Sequence, residues 1–339
     1  MTTGDRRRNG IREVAATAGV SIGTVSNVLN HPGVVAAGTR ARVEQVMQEL
    51  GFVRNGMARQ LREGRAATAG TLVLDIANPF FTETARGIED RLAEAGCMLT
   101  LCSTDQQPDR EARYLHMLEE QGVRGILVTP TRLDIESLLA MQRRGVPIVL
   151  LDCPSPTAEI CSVAIDDIRG GELAAAHLIA RGHRRVMFLN GPPHVQQCTA
   201  RSRGAHNAFQ KAGLDPAQHL FEVALPRAST DRAEAVLEQT LALPDQPTAI
   251  MCVSDIVALG VMRSLRKRGL KVPDDIAVVG YDDVPFAAEL ATSLTTIRQP
   301  TYDLGRAAAT LLLTDADPTA SDGHQQLTYQ PELIVRESA

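Results

Sequence analysis

The stretch GIREVAATAGVSIGTVSNVLN, residues 10–30, decides how the N-terminal part of the chain folds. Val14 and Ala18 are four residues apart, which places them on one face of a short helix. Gly19 ends that helix because glycine accepts the positive φ of a sharp turn, and Ser21 can cap the first amide groups of a second helix. The sequence therefore predicts two short helices that cross closely, as in a helix-turn-helix.

Charge is distributed unevenly along the chain. Residues 1–65 contain ten arginines and five carboxylates, a net charge of +5, whereas the whole chain of 339 residues has a net charge of −5. A basic N-terminal segment on an acidic remainder predicts that only the N-terminal part meets a polyanion such as nucleic acid. The length suggests two or three domains.

The composition argues against several other classes of protein. No apolar run approaches the roughly 18 residues of a membrane span, and no apolar segment follows the basic start MTTGDRRRNG, so we expect neither a membrane partner nor secretion but a cytoplasmic protein. Free buried thiols are expected rather than a metal site, because the six cysteines show no C-x-x-C or Cys/His spacing. No phosphate-binding glycine motif is present, so no cofactor is expected.

Three motifs near the N-terminus resemble the DNA-binding segment of the LacI/GalR family of bacterial transcription regulators. They are AATAGVSIGTVSNVLN (15–30), TRARVEQVMQELGF (39–52) and NGMARQL (55–61). The resemblance extends nearly to Ala339. It implies a repressor that binds a pseudo-palindromic operator in double-stranded DNA as a homodimer, under the control of a small-molecule effector, by default a carbohydrate.

The resemblance places the second predicted helix, Ser21 to Leu29, in the major groove. At 1.5 Å per residue it would be about 13 Å long, which suits a groove roughly 12 Å wide. Base contacts are implied from Ile22, Gly23 and Asn27, where Asn27 replaces the arginine most common in the family and can pair with adenine. Further DNA contacts, mainly to phosphates, are predicted from short polar side chains: Ser21, Thr24, Ser26, Asn30 and Thr39.

A short segment, residues 55–62, resembles the hinge helix of the family. By this resemblance Leu61 is the leucine that wedges between base pairs in the minor groove and kinks the duplex. Asn55 and Arg59 are predicted as further DNA contacts. Arg54 stands where the family usually has proline, so we expect a hinge that is less pre-organised.

From residue 69 onward, strand and helix patterns alternate, which predicts an α/β fold with doubly wound parallel sheets. About a dozen strands indicate two lobes, and their double return resembles the periplasmic-binding-protein fold. The clearest strand candidates are 71–75, 98–102, 125–129, 147–151, 185–190, 249–253 and 276–280. The clearest helix candidates are 81–95, 167–181, 199–212, 229–241 and 255–268.

The predicted fold is an all-α helix-turn-helix headpiece followed by these two parallel-sheet lobes. A proline-rich loop at 152–167 interrupts the alternation and suggests the break between the lobes. The expected domains are a DNA-binding domain at 1–53, a hinge and linker at 54–68, and an effector-binding and dimerisation core at 69–339. Within the core, lobe 1 covers about 69–162 and 293–326, and lobe 2 covers about 163–292 and 327–339.

Polar residues directly after strands are the candidate ligand contacts, because parallel sheets bind ligands at the carboxyl ends of their strands. Carboxylates, amides and an arginine across a cleft are groups that hydrogen-bond a polyol. The resemblance assigns Arg203, in TARSRGA, as the effector-clamping arginine and Asp282, in GYDD, as an acceptor for sugar hydroxyls. For Asp255 helix capping is favoured over ligand contact. The predicted effector-binding residues are Asn78, Phe80, Phe81, Asp152, Arg203, Ser254, Asp282 and Gln299.

Two other classes of function are weighed against a regulator. A solute-binding protein for sugar transport would share the two lobes, but it would not need the N-terminal motifs. A sugar-metabolising enzyme would need a nucleophile, a triad or a metal cluster near Asp282 and Asp283, and the sequence offers none, so no catalytic residue is assigned. The regulator is therefore the favoured interpretation.

Overall fold

The computed structural model describes four ranges of the chain. They are residues 10–52, 67–241, 246–316 and 323–339. Backbone contacts divide the chain into two units, Met1–Arg65 and Ala66–Ala339. The predicted hinge segment, with Asn55, Arg59 and Leu61, lies outside the described residues.

Within residues 10–52, the N-terminal unit packs three α-helices around one small apolar core. They are α1 (Ile11–Ala18), α2 (Ile22–Asn30) and α3 (Ala37–Glu49). Each helix contributes a fully buried valine, namely Val14, Val25 and Val43. Ala15 is also buried, and its small side chain lets the helices approach.

The turn between α1 and α2 has the predicted chemistry. Gly19 has a φ of +64°, and the N–H of Val20 donates to the carbonyl of Ala15 at 3.0 Å, which closes α1. Ser21 Oγ accepts a hydrogen bond from the N–H of Thr24 at 3.0 Å and so caps α2. The predicted helix-turn-helix is confirmed.

Lobe 1 of the second unit is built on a six-stranded sheet. Its strands are β1 (Thr68–Val73), β2 (Met98–Ser103), β3 (Ile126–Val128), β4 (Ile148–Leu151), β5 (Cys161–Ile165) and β11 (Gln326–Tyr329). All pairings are parallel, in the order β11-β5-β4-β3-β1-β2. The helices of this lobe are α4 (Pro79–Glu94), α5 (Pro108–Glu120), α6 (Ile135–Arg143) and α13 (Thr301–Asp315).

Lobe 2 is built on a four-stranded parallel sheet. Its strands are β6 (Val186–Asn190), β7 (Leu220–Ala224), β8 (Ala249–Cys252) and β9 (Ala277–Val279), in the order β7-β6-β8-β9. Its helices are α7 (Asp167–Ala180), α8 (Gln196–Lys211), α9 (Pro216–His219), α10 (Thr230–Thr240), α11 (Asp255–Lys267) and α12 (Phe286–Glu289). A separate antiparallel pair joins β10 (Thr296–Arg298) to β12 (Glu332–Ile334).

The chain passes between the lobes three times. It leaves lobe 1 after β5, returns between β10 and α13, and leaves again between β11 and β12. The carboxyl ends of β1 and β4 in lobe 1 and of β8 and β9 in lobe 2 lead into the same cleft. None of the helices formed by the described residues is long and apolar enough to cross a lipid bilayer.

The predicted α/β fold is confirmed, but the segment between the lobes differs from the prediction. Residues 152–167 were expected to be loop, but they contain β5, which pairs with β4 and β11. Its sequence CSVAI includes serine and alanine, which weaken the pattern of a buried strand. The expected last crossing at Leu327 lies inside β11, so the chain crosses after Tyr329.

Glycine allows the closest helix crossings of each lobe. In lobe 2, a Cβ added to Gly204 of α8 would lie 2.0 Å from the carbonyl oxygen of Ile168 in α7. In lobe 1, a Cβ added to Gly305 of α13 would lie 2.1 Å from the carbonyl oxygen of Thr84 in α4. Because the neighbouring atoms belong to backbone, no side-chain rotation relieves such a clash, and a larger residue must push the helices apart.

We therefore expect Gly204→Ala to lower the free energy of unfolding by about 1–3 kcal/mol, the usual cost of overpacking a core. Urea unfolding of the full chain measures this difference. Gly323→Ala is the matched control, because its added Cβ meets no heavy atom within 4 Å, and it should leave the unfolding free energy nearly unchanged. Equal stability of the two variants would contradict the close-crossing argument.

Candidate functional site

The exposed face of α2 presents the residues that the sequence predicts as base contacts. Ile22 is 47% exposed although it is apolar, and Gly23 and Asn27 are exposed beside it. Val25 and Val28 of the same helix are buried. The helix therefore has one face fixed to the core and the opposite face free to enter a groove.

Short polar side chains surround this face. The hydroxyls of Ser21 and Thr24 are 2.9 Å apart, and Asn30 Nδ2 donates to Ser26 Oγ at 3.2 Å. Thr39 is half-buried in the first turn of α3. Ser21, Thr24 and Thr39 stand at the starts of α2 and α3, where a hydroxyl is well suited to a phosphate oxygen because the helix N-terminus also carries partial positive charge.

A cleft between the two lobes lies at the carboxyl ends of the parallel strands. Its cavity volume is only about 70 Å³, well below the roughly 300–1,000 Å³ of most ligand pockets. The lobes are therefore closed onto each other. The polar lining residues are Asp75, Asn78, Gln106, Asp152, Gln197, Arg201, Ser254 and Asp282.

Arg201 of α8 is the central cation of the cleft and is only 6% exposed. Its Nε donates to Asp167 Oδ1 at 2.7 Å and its Nη1 donates to the carbonyl of Val253 at 2.6 Å. The guanidinium also lies 3.6 Å from the ring centroid of Tyr281, whose hydroxyl donates to the same Asp167 oxygen at 2.9 Å. These contacts fix the plane of the guanidinium in advance of any ligand.

The prediction that Arg203 is the arginine of this cleft is wrong. Arg203 is exposed and lines a different cavity, next to Ile168 and Thr328, whereas Arg201 lines the cleft. Two residues advance about 200° around a helix, so the side chains of Arg201 and Arg203 leave α8 on nearly opposite sides. The stretch TARSRGA does reach the cleft, but through Arg201 and not through Arg203.

Asp282 connects the two lobes and is 4% exposed. Asn78 Nδ2 of lobe 1 donates to Asp282 Oδ2 at 3.1 Å, and Gln299 Nε2 donates to Asp282 Oδ1 at 2.8 Å. Burial raises the pKa of Asp282 to about 7, although the nearby guanidinium of Arg201 and the two amide donors pull the pKa down. The carboxyl group therefore titrates near neutral pH in the closed protein.

Asp152 follows β4 and is 3% exposed. The side-chain amide of Gln197 donates to its carbonyl oxygen and, at 3.1 Å, to its Oδ2. Burial and the carboxylate of Asp167 raise the pKa of Asp152 well above its ordinary value. A second buried acid thus stands on the lobe 1 side of the same cleft.

Several buried oxygens in or beside the cleft have no hydrogen-bond partner among the described residues. They are Asp152 Oδ1, Gln197 Oε1 and Gln299 Oε1. The two amide oxygens are acceptors, and Asp152 Oδ1 is an acceptor when its carboxyl group is ionised. Because an unpaired buried acceptor costs free energy, the cleft favours a ligand that supplies hydrogen-bond donors.

Two predicted aromatic residues and two helix caps complete the cleft wall. Phe80 and Phe81 meet edge to face, with ring centroids 4.9 Å apart. Asn78 Oδ1 accepts from the N–H of Phe80 at 3.1 Å and caps α4, and Ser254 Oγ caps α11 in the same way. Asp255 lies behind the wall, where Val284 N–H and Thr296 Oγ1 donate to it. The helix-capping role favoured for Asp255 is wrong, because Ser254 is the cap of α11.

An ion pair that the sequence did not reveal closes one side of the cleft. Arg227, in the loop after β7, donates to Asp75 Oδ2 at 2.9 Å and lies 3.6 Å from Asp105 Oδ1. Both carboxylates belong to lobe 1, and the arginine belongs to lobe 2. We did not predict this ion pair because β7, with its exposed side chains, was not predicted as a strand.

The raised pKa of Asp282 predicts a pH-dependent stability. The ordinary pKa of 3.8 applies to the unfolded chain and about 7 to the folded one, so between these values folding takes up a proton. The free energy of unfolding should therefore fall as pH rises from about 4 to about 7, and this contribution should level off above pH 7.

Urea unfolding of the unliganded chain at several pH values measures the effect. Asp282→Asn should reduce the decline between pH 5 and pH 7, because the amide has no proton to lose. Glu83→Gln, an exposed position on α4, is the control and should keep the full decline. A decline that is unchanged in Asp282→Asn would contradict the assignment.

Comparisons of sequence connect both parts of the chain to known proteins. Residues 10–55 match the family described as bacterial regulatory proteins, lacI family, and residues 175–339 match the periplasmic binding protein-like domain. The HTH-type transcriptional repressor PurR of Aliivibrio salmonicida is 33% identical over 333 residues, which cover 97% of this chain and 98% of PurR. The similarity thus includes both units.

Solved structures show the same architecture. The transcriptional regulator CelR in complex with cellobiose has a TM-score of 0.72 and 31% sequence identity, over 98% of this chain and 100% of CelR. The lac repressor dimer bound to operator and the anti-inducer ONPF has a TM-score of 0.82 and 28% identity, over 98% of this chain and 99% of that one. The predicted two-lobed architecture is confirmed by these matches.

Proposed function

Because the chain belongs to the LacI family of bacterial regulatory proteins, we propose that it is a cytoplasmic, homodimeric repressor whose binding to operator DNA is set by a small molecule held between its lobes. The observation that carries this proposal is one chain with both an exposed recognition face on α2 and a polar cleft around Arg201. A transport protein needs only the cleft.

In this proposal α2 reads the major groove. Asn27 makes the base-specific hydrogen bonds, Ile22 makes an apolar contact, and Gly23 lets the backbone come close to the base edges. Ser21, Thr24 and Thr39 contact phosphates and fix the position of the helix. Two copies related by a twofold axis would read two half-sites of a pseudo-palindrome, as expected for a dimer bound to its operator.

The effector is a compound rich in hydroxyl groups, and a sugar or a similar polyol fits best. Arg201 would donate to its oxygens, while Asp152 and Asp282 would accept from its hydroxyls. The unpaired acceptors of the cleft support a donor-rich ligand. The complex of the related regulator CelR with cellobiose supports the same class.

Effector binding would act on the closure of the lobes. The contacts Asn78–Asp282 and Asp75–Arg227 hold the lobes together around a cavity too small for a sugar. A bound effector replaces these contacts with its own and shifts the balance between closed and open lobes. The effector can change the free energy of DNA binding only through the difference in its affinity for the closed and open states. Residues 54–68 would transmit this change to the proposed DNA-binding domain, residues 1–53.

The arginine pair of α8 gives a sharp test of the cleft. Arg201→Ala should abolish the response to an effector, found by screening sugars for release or tightening of the protein on DNA, while operator binding is retained. Arg203→Ala is the matched control two residues away and should keep the response. Gel shifts with and without effector measure both. A normal response in Arg201→Ala would remove this residue from the site.

The recognition face is tested with an operator selected from genomic fragments. Asn27→Ala should weaken specific binding by about 1–3 kcal/mol and relax the preference at one base pair, with little change in binding to unrelated DNA. Gln48→Ala, on the exposed face of α3, should change neither. If residues 66–339 alone held the operator as tightly as the whole chain, the proposed function itself would fail.

A further inference from the structure

Three side chains with metal-binding atoms converge in lobe 1, outside the cleft. Cys161 is the first residue of β5, Asp315 is the last residue of α13, and His324 lies just before β11. Their ligand atoms all lie within 4.8 Å of one another. Because the cleft lies at the carboxyl ends of the strands, this cluster is at the opposite edge of the sheet.

The distances in the cluster match those around a tetrahedral metal ion. Cys161 Sγ lies 3.7 Å from His324 Nδ1, and the same nitrogen lies 3.2 Å from Asp315 Oδ1. Bonds of about 2.3 Å from zinc to sulfur and about 2.1 Å to nitrogen and oxygen, at tetrahedral angles, require separations of about 3.6 and 3.4 Å. These two distances would therefore change by no more than a few tenths of an ångström when an ion binds.

A neighbouring amide is placed to orient the histidine. His324 Nε2 lies 3.0 Å from Gln142 Nε2, and Gln142 Oε1 is buried with no partner among the described residues. Gln142 Nε2 also donates to the carbonyl of Glu159 at 3.0 Å. A half-turn of this amide would exchange that bond for a new one, because it would point the unpaired oxygen at Nε2, where it accepts the Nε2–H. That bond leaves the lone pair of Nδ1 free for a metal, an arrangement common behind metal-binding histidines.

We propose that Cys161, Asp315 and His324 form a site for a divalent transition metal ion of the zinc class, with a water molecule as the fourth ligand. Sulfur, nitrogen and oxygen together suit Zn²⁺ better than Mg²⁺ or Ca²⁺, which prefer oxygen alone. On binding, the thiol releases its proton to solvent, the imidazole binds as the neutral form, and no electron is transferred. The sequence could not reveal this site, because Cys161 and His324 are 163 residues apart.

The ion would tie three segments of lobe 1 together. It would join the start of β5 to the end of α13 and to the residue that leads into β11, the edge strand of the sheet. Because β5 is the one pairing partner of β11 in the part of the chain that the structure describes, this tie would stabilise the strand from which the chain makes its last passage between the lobes. Without a metal, the same groups form a hydrogen-bonded cluster, and experiment separates the two states.

Titration of the chelator-treated full chain with Co²⁺ tests the proposal directly. We expect one ion per chain, a near-ultraviolet band from charge transfer between thiolate and Co²⁺, and displacement of this band by Zn²⁺. Cys161→Ser should lose the band, whereas Cys97→Ser, a buried cysteine of the same lobe outside the cluster, should keep it. A wild-type chain that binds no Co²⁺ or Zn²⁺, or a band undiminished in Cys161→Ser, would overturn the proposal.

A second pair of variants separates the loss of metal binding from the loss of the fold. Asp315→Asn and Gln142→Leu keep the thiol and the imidazole, and each should weaken Zn²⁺ affinity about 10- to 100-fold without loss of secondary structure by circular dichroism. Zn²⁺ should also raise the melting temperature of the wild type and not that of Asp315→Asn. Unchanged affinity in both variants would mean that the cluster is a hydrogen-bonded one only. These results do not depend on any DNA or effector assay.

Discussion

The buried guanidinium of Arg201 is the interaction on which the cleft depends. Among the described residues it is the one cation near three buried carboxylates, Asp152, Asp167 and Asp282, and it forms an ion pair with Asp167. Since a buried charge without a partner is costly, the other two carboxyls must hold a proton, accept amide hydrogen bonds or meet a ligand. In the closed cleft these carboxyls hold a proton or accept amide hydrogen bonds, and a donor-rich effector would be the ligand that they meet.

This arrangement connects the fold with its regulation. The glycine at position 204 brings α8 against α7, which places Arg201 beside Asp167, while Tyr281 after β9 closes over the guanidinium. Asn78 then reaches Asp282 from the other lobe. The same few polar contacts therefore fix the closed state and lie where a ligand would replace them, so affinity for the ligand and lobe closure are thermodynamically coupled.

Sequence patterns predicted the parts that depend on local chemistry. Gly19 and Ser21 mark the turn before α2, and apolar runs mark most strands within a few residues. Local patterns failed where tertiary contacts decide, as for β5, which is stabilised by strands on both sides, and for Arg201, whose side of α8 depends on how the helix packs. The contacts of Tyr281, of Arg227 and of the cluster at Cys161 join residues that are far apart in sequence. No pattern in a short stretch of sequence indicates contacts of this kind.

The three passages of the chain between the lobes have a mechanical consequence. One connecting strand would let the lobes swivel freely, but three side by side resist twisting and sliding, so that opening is reduced to a bend about a single axis. A ligand of almost any shape would then produce the same kind of displacement, differing in extent. This three-segment connection explains how one architecture can change its ligand specificity through a few residues that line the cleft, while the motion of the lobes stays the same.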